Sequence, residues 1–432
     1  MITNFTQLSL IAIFSCSTTA CNFSAQLLNE EDESGASRNS DDTFTGAANP
    51  AHPVVRWRKE QKLTLKNAAL AQIAEAAHRP LQLLASGQYF SCTLNPKKEI
   101  QCWGLQGFGA TGKDPEVDSS KRDGTNYFLP YKEKVKKISI MDFSTCILTT
   151  DSKLYCHGSN SYGQLGDGST NNSFKPVVPV GLEDKVSWIS SSNNKTCAVT
   201  HEGQLRCWGY GLTKTPSKVI GAPEKVMTIA LGASHQCLLT KDFGVQCWGS
   251  NSNGQLGSKE FTASSATSPI PADGLDTDVV QIGVGGNHTC AVLASGPVKC
   301  WGLNNKGQLG IGNNDNQSTP VEVVGLAGEA STLALGNDFS CALLKNGGVD
   351  CWGLNASGQL GDATNEDHNK PVPVNGLSKP LVSLSAYDKY VCGVDTDNAA
   401  WCWGGNYYDR LGNGPVDGAY RDSNVPVKVS GF

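Results

Sequence analysis

Fourteen of the sixteen cysteines fall into seven pairs: Cys92 with Cys102, Cys146 with Cys156, Cys197 with Cys207, Cys237 with Cys247, Cys290 with Cys300, Cys341 with Cys351, and Cys392 with Cys402. Thiols can hold a metal or oxidise to disulfides. A zinc site needs clustered ligands, usually from closely spaced cysteine pairs. Partners ten positions apart do not gather four ligands, so no metal is expected. His235 and His288 each stand two residues before a cysteine. Acid–base catalysis there would need a nucleophile or carboxylate within hydrogen-bond reach. Other repeats carry Phe90, Ser144, Asn194 or Lys195, Phe339 and Lys389 near this place, which argues for a structural position. Trp103, Trp208, Trp248, Trp301, Trp352 and Trp403 each follow a second cysteine. They could gather as a ligand-stacking cluster, but residues locked to a repeat are expected to pack between neighbouring repeats. No glycine-rich loop follows a strand and opens a helix, so neither a nucleotide nor another cofactor is expected.

The elements that position these residues are short strands. The fifth pair lies in Gly286-Asn287-His288-Thr289-Cys290-Ala291-Val292-Leu293, then a turn, then Val298-Lys299-Cys300-Trp301-Gly302. Two alternating runs joined by a turn read as a hairpin. The ten-residue spacing sets the two cysteines opposite one another across it. Cross-strand Cα separations of about 4.5–5.5 Å lie within disulfide reach, so one disulfide per repeat is expected. Each repeat also holds an apolar run, such as Val279–Val284 or Val226–Ala230, and a proline-valine run, as at Pro176–Val180, Pro320–Val323 and Pro371–Val374. Seven repeats of four strands, with a period of 40 to 54 residues, predict an all-β, seven-bladed propeller over 81–432. The first repeat starts at Leu81 without a proline-valine run before it, and the chain ends on one, Val425–Val429. The C-terminal strand is therefore expected to complete the first blade and close the ring.

After each second cysteine a longer pattern recurs, clearest at Cys300-Trp301-Gly302-Leu303-Asn304-Asn305-Lys306-Gly307-Gln308-Leu309-Gly310 and repeated at Cys247–Gly257 and Cys351–Gly361. Cys156–Gly166 follows it with His157 in place of tryptophan, and Asp409-Arg410-Leu411-Gly412 replaces its end in the last repeat. The third repeat lacks the Gly-Gln-Leu-Gly element, and the first has Gly109-Ala110-Thr111-Gly112. This pattern resembles the repeat of the regulator of chromosome condensation family. The resemblance covers Leu81 to the C-terminus and implies the propeller fold. Members of that family include a nucleotide exchange factor for a small nuclear GTPase, a plant ultraviolet-B photoreceptor and a secreted bacterial inhibitor of β-lactamases, so the fold does not determine the function. The paired cysteines are foreign to the nuclear members. They resemble those of exported bacterial members.

The remaining sequence bears on location. Charged residues are 17% of the chain and the formal net charge is −5, which argues against a broad polyanion-binding surface, so no nucleic-acid partner is expected. Leu8–Phe14 is too short to span a bilayer but fits the apolar part of a secretory signal over residues 1–21. No lysine or arginine precedes it; the first basic residue is Arg38. Small residues follow, with Cys16 and Cys21 among them. This resembles a lipoprotein signal with either cysteine as the lipid attachment, the alternative being a signal that is simply cleaved. Residues 22–58 are expected to be an acidic flexible linker, and 59–80 a short helix. Sixteen cysteines suit an oxidising compartment.

The expected function is an exported, non-enzymatic, monomeric scaffold that binds another protein or an envelope polymer, touching a membrane only through a lipid anchor. The alternative is a guanine-nucleotide exchange factor. An enzyme with its site in the central channel would need converging polar or charged residues at the inner strand ends, and the inner apolar runs suggest none. Alternating strands place the long loops after each Cys-Trp-Gly on one face with the Gly-x-x-His turns, and variable loops on a rigid scaffold are where binding resides. Phe108, Tyr162, Tyr210, Tyr407, Tyr408 and Arg410 are the candidate contact residues there.

Overall fold

In the computed structural model, Cys290 lies directly opposite Cys300 across the central hairpin of its repeat, and the same register holds for all seven pairs. All seven disulfides form, with Cα atoms 4.0–4.1 Å apart. The structure describes residues 83–95, 97–105, 110, 127–128, 135–183 and 185–432. The expected signal, linker and helix over 1–80, Cys16, Cys21 and Phe108 lie outside the described residues.

Each hairpin is the middle of a four-stranded antiparallel sheet, and there are seven such sheets. Blade five is representative. Its innermost strand is Val279–Val284, its hairpin strands are His288–Leu293 and Val298–Gly302, and its outermost strand is Gln317–Glu322. The hairpin strands are largely buried on both faces because each sheet is sandwiched between two others. In blades two to seven the innermost strand slips register once against its neighbour, as between Val279 and Gln281, and such bulges increase local twist. The core is a series of clusters spanning adjacent blades. One joins Phe339, Cys341 and Leu360 of blade six to Leu381, Val391 and Trp403 of blade seven.

The outer strands begin earlier than the proline-valine runs suggest. They span Ser173–Val177, Gln317–Glu322 and His368–Pro373, so each proline sits inside an edge strand, where its missing N–H costs no ladder bond. Ring closure also differs from expectation. The C-terminal strand, Ser423–Lys428, pairs with Ala400–Gly404 of its own blade and not with blade one. Blade one has its own outer strand, Tyr127–Phe128, paired with Gln101 and Cys102. The first repeat lacks a proline-valine sequence at that place, but a sheet edge needs only free backbone groups, which any residues provide. The seam between blades seven and one is therefore closed by side chains. Val429 and Leu411 pack with Leu84, Trp103 and Phe432, and the Trp103 and Phe432 rings meet edge-on at 5.5 Å.

The central channel is more polar than its apolar runs suggest. A cavity of about 210 Å3 within it is lined in part by Lys137, Ser139, Ser190, Gln281 and Thr332. The register slip turns Lys137, Gln281 and Thr332, which follow it, onto one level of the ring. Gln281 Nε2 donates to Thr332 Oγ1 at 3.1 Å. The Lys137 ammonium sits 3.6 Å over the Trp188 ring, and burial, with Lys136 beside it, pulls its pKa down to about 7. At the mouth, Tyr387 of blade seven donates to Asn193 Oδ1 of blade three at 3.2 Å.

Candidate interaction face

The blades are joined by a latch built from the recurring motif. In blade five the Asn304 side chain accepts the Leu309 N–H at 2.9 Å, and the Gln308 side chain accepts the Lys306 N–H at 2.8 Å. These two bonds shape the loop so that the Gln308 carbonyl reaches over blade six. There it accepts from Trp352 Nε1 at 2.9 Å and from the Ser340 hydroxyl at 2.8 Å. The carbonyls of Gln164, Gln255 and Gln359 receive Trp208, Trp301 and Trp403 in the same way. Gly310 makes this contact possible. Its φ is +71°, and a Cβ there would lie 2.8 Å from Trp352 Nε1. The tryptophans thus pack between blades. Trp248 follows the blade without the Gln-Leu-Gly element, and among the described residues no such carbonyl receives its indole. His157 stands in the tryptophan place of blade two, where it meets the Ala110 backbone and burial lowers its pKa to about 4.

His235 and His288 belong to the same junctions. His235 Nε2 is 2.7 Å from Thr289 Oγ1, and His288 Nε2 is 2.8 Å from Ser340 Oγ. Both hydroxyls already donate to loop carbonyls, so each accepts from the imidazole. The buried Nδ1 atoms have no hydrogen-bond partner among the described residues. Protonation would bury a charge and an unpaired donor. Burial holds both pKa values down to about 3, with His288 adding to the shift at His235. Phe90, Phe339 and Tyr390 fill the equivalent place elsewhere; in blade seven that residue is Tyr390 rather than Lys389. Among the described residues there is no cluster of three or more His, Cys, Asp or Glu placed to hold a metal ion.

The long loops share one face with the inner turns. Leu303 N donates to Asn287 O, and Gly405 N to Lys389 O, both at 2.9 Å. Tyr162 and Tyr210 lie on this face in neighbouring blades, 49% and 54% exposed, with ring centroids 4.9 Å apart, edge to face. Tyr407 and Tyr408 lie 4.4 Å apart in blade seven. Two residues outside the expected set extend this second group. Tyr89 is 5.9 Å from Tyr408 and stacks on Phe143 at 4.3 Å. They precede strands in the short inner turns, outside the long loops where contact residues are expected; Tyr89 follows Gly87 of the repeat's glycine turn, whereas Phe143 has no glycine beside it. Arg410 is not an exposed anchor. It is 5% exposed, pairs with Asp388 at 2.9 Å, donates to Gln88 O at 3.2 Å and lies over the Tyr390 ring. Its backbone carbonyl takes the latch position and accepts Trp103 Nε1 at 3.0 Å.

The molecule is thus a disulfide-clamped, seven-bladed propeller that presents aromatic side chains on one loop face. The chain belongs to the regulator of chromosome condensation (RCC1) repeat family: family models match residues 135–164, 228–255, 279–308 and 331–359, and 151–199, 244–292, 295–343 and 346–393, together more than half of its length. It is 28% identical to the Ultraviolet-B receptor UVR8 of Arabidopsis thaliana over 368 residues, 82% of this chain and 73% of that protein. It is 29% identical to the probable E3 ubiquitin-protein ligase HERC6 of Homo sapiens over 73% of this chain but 26% of that protein. Among solved structures, Prp20p of Saccharomyces cerevisiae is similar with a TM-score of 0.68 at 22% identity, over 82% of this chain and 89% of that one. Yeast RCC1 (Prp20) bound to Kap60 gives a TM-score of 0.67 at 21% identity, over 83% of this chain and 86% of that one. At that identity the likeness is one of fold.

Proposed function

We propose that this protein is an exported, non-enzymatic scaffold that recognises another protein or an envelope polymer through its loop face. One observation carries the reading. Every exposed tyrosine among the described residues, Tyr162, Tyr210, Tyr407, Tyr408 and Tyr420, lies in a long loop after a third strand. Tyrosine offers a large contact area at low entropic cost, and the blades beneath are rigid. Relatives support a binding role in kind: yeast RCC1 (Prp20) was solved with Kap60 bound, and Prp20p was examined for binding to Gsp1p and histones. Seven buried disulfides favour an oxidising compartment, and hence export. Attachment through lipidated Cys16 or Cys21 is part of the proposal. Nucleotide exchange has no support beyond shared fold.

Cell fractionation of the full chain, with intact mass before and after reduction, tests export. Retention on purified envelopes tests the face. The Tyr162→Ser/Tyr210→Ser variant is expected to lose retention, whereas Ile220→Ser, in a connection on the opposite face, keeps it. Free thiols in an intracellular protein, or equal retention of both variants, would overturn the reading.

A further inference from the structure

We propose that the pocket at the seam between blades seven and one binds a neutral saccharide unit. The inference deepens the loop-face reading and rests on it, since it names the ligand class for one part of that face. The pocket has a volume of about 370 Å3, and its walls include Tyr89, Tyr407, Tyr408, Asp388, Lys389 and Asp422. That volume is near the lower end of the range for small-ligand sites, suited to one or two sugar rings. A protein partner would instead cover on the order of 800 Å2 of surface.

The wall chemistry points to a sugar. Tyr407 is 67% exposed and Tyr408 40%, an unusual cost for adjacent rings unless something covers them. Tyr89 is held from behind by the stacked Phe143 ring, so its orientation is set before any ligand arrives. Pyranose rings present C–H faces that pack on such rings and hydroxyls around their rim that both donate and accept. The rim groups here match that. Arg410 and Asp388 neutralise one another at 2.9 Å, leaving one cation, Lys389, and one carboxylate, Asp422. The formal sum of these four charges is zero, so the pocket selects neither an anion nor a cation. It offers a donor and an acceptor to hydroxyls.

Backbone strain provides a second, independent observation. Tyr408 and Asp409 are both left-handed, with φ of 61° and 60°. In blades two, four, five and six the second of these positions is Gly163, Gly254, Gly307 or Gly358. In those blades the glutamine one residue later accepts the N–H of the residue before the glycine, as Gln308 does for Lys306. Arg410 stands in the glutamine place and has no acceptor. The turn therefore loses its internal bond and reshapes, with Tyr408 in a conformation a bulky residue rarely adopts. The Arg410 carbonyl still takes the latch position on Trp103. The left-handed φ of Asp409 is the one the repeat adopts at its glycines, but that of Tyr408 has no counterpart at Tyr162, Asn253, Lys306 or Ser357, and Tyr408 lines the pocket. Strain peculiar to a pocket residue marks a binding site.

Calorimetric titration of the full chain with chitotetraose, cellotetraose and maltotetraose, and with a tetragalacturonate as the anionic comparison, tests the proposal. At least one neutral tetrasaccharide is expected to bind, with affinity falling tenfold or more in Tyr407→Ala and in Tyr408→Ala and unchanged in Ile220→Ser. The tyrosines are exposed, so unchanged unfolding midpoints will show that the variants fold. No neutral sugar binding, preference for the anionic sugar, or binding indifferent to both tyrosines overturns the proposal. If sugar binding is absent while envelope retention still depends on Tyr162 and Tyr210, only this inference falls, and a protein partner takes its place. Retention indifferent to all four tyrosines overturns both readings.

Discussion

Gln308 and Arg410 hold the same place in the repeat, one at a junction between consecutive blades and the other at the seam where the ends of the ring meet. Both give their backbone carbonyl to a tryptophan of the next blade, at 2.9 Å to Trp352 and 3.0 Å to Trp103. Their side chains do different work. Gln308 turns inward to hold its own loop, whereas Arg410 reaches out to Asp388 and Gln88. The hydroxyl contact beside the latch differs too. At the junction of blades five and six it is His288 on Ser340, and at the seam it is Tyr390 on Ser91 at 2.9 Å. The ring therefore joins its blades with one backbone device. The side chains around it vary, and at the seam, where the chain does not run on from one blade to the next, Arg410 reaches Gln88 across it and the Tyr89 ring meets Tyr408.

Breaking the seam outright should give the largest effect. Deleting 423–432 removes the outer strand of blade seven together with Val429 and Phe432, and thermal unfolding should lose its cooperative transition. Deletion of 22–50 should leave the midpoint unchanged. Trp103→Ala and Trp352→Ala should each cost roughly 3–5 kcal/mol in denaturant titration, the usual range for truncating a buried aromatic. Hydrogen exchange should separate the two. Only the seam variant should expose blades one and seven together below the global transition, because no covalent connection holds them.

Acid should act on the regular junctions and spare the seam. His235 and His288 have folded pKa values near 3, below the ordinary 6.5 of an unfolded chain. Between those values the unfolded state binds more protons, so stability is complete above pH 6.5 and is lost as pH falls toward 3. Replacing His288 by phenylalanine, which occupies the same place in blades one and six, should flatten this slope with little change at pH 7. An unaltered slope would remove the histidines from the account. Tyr390 does not share this behaviour, because burial raises its pKa from an already alkaline value.

The smallest expected effect comes from relaxing the strained loop. Asp409→Gly should stabilise by about 1 kcal/mol through relief of the left-handed conformation. It should also remove a pH dependence of opposite sign. Burial raises the Asp409 carboxyl to about 6, so its folded form binds more protons than the unfolded chain from roughly pH 4 to 6, and stability there falls as pH rises. A variant that gains no stability would mean that the turn is held at no cost.

Much of this was legible in the chain. The ten-residue cysteine spacing and alternating runs suffice for the hairpin, and the repeat count suffices for seven blades, because both are local patterns that recur. Tryptophan packing between blades was readable for the same reason. Ring closure was not: the proline-valine count suggested a strand exchange, whereas Tyr127–Phe128 pairs in blade one without that sequence. The channel lining was missed because a register slip in the inner strands decides which side chains face it. The loop position of Arg410 points to a surface anchor, but the residues that bury it lie on other elements, Asp388 and Tyr390 at the inner turn of its own blade and Gln88 in blade one.

The sequence by itself determined the blade: its hairpin, its disulfide, and the asparagine and glutamine that shape its loop, all interactions among residues close in the chain. Tertiary structure alone decided how the ends of the ring meet, which loop aromatics gather into one pocket, and which charge is spent inside the protein. Those outcomes depend on contacts between residues some 300 positions apart, such as Trp103 with Arg410 and Ser91 with Tyr390, whose geometry exists only once the ring has closed.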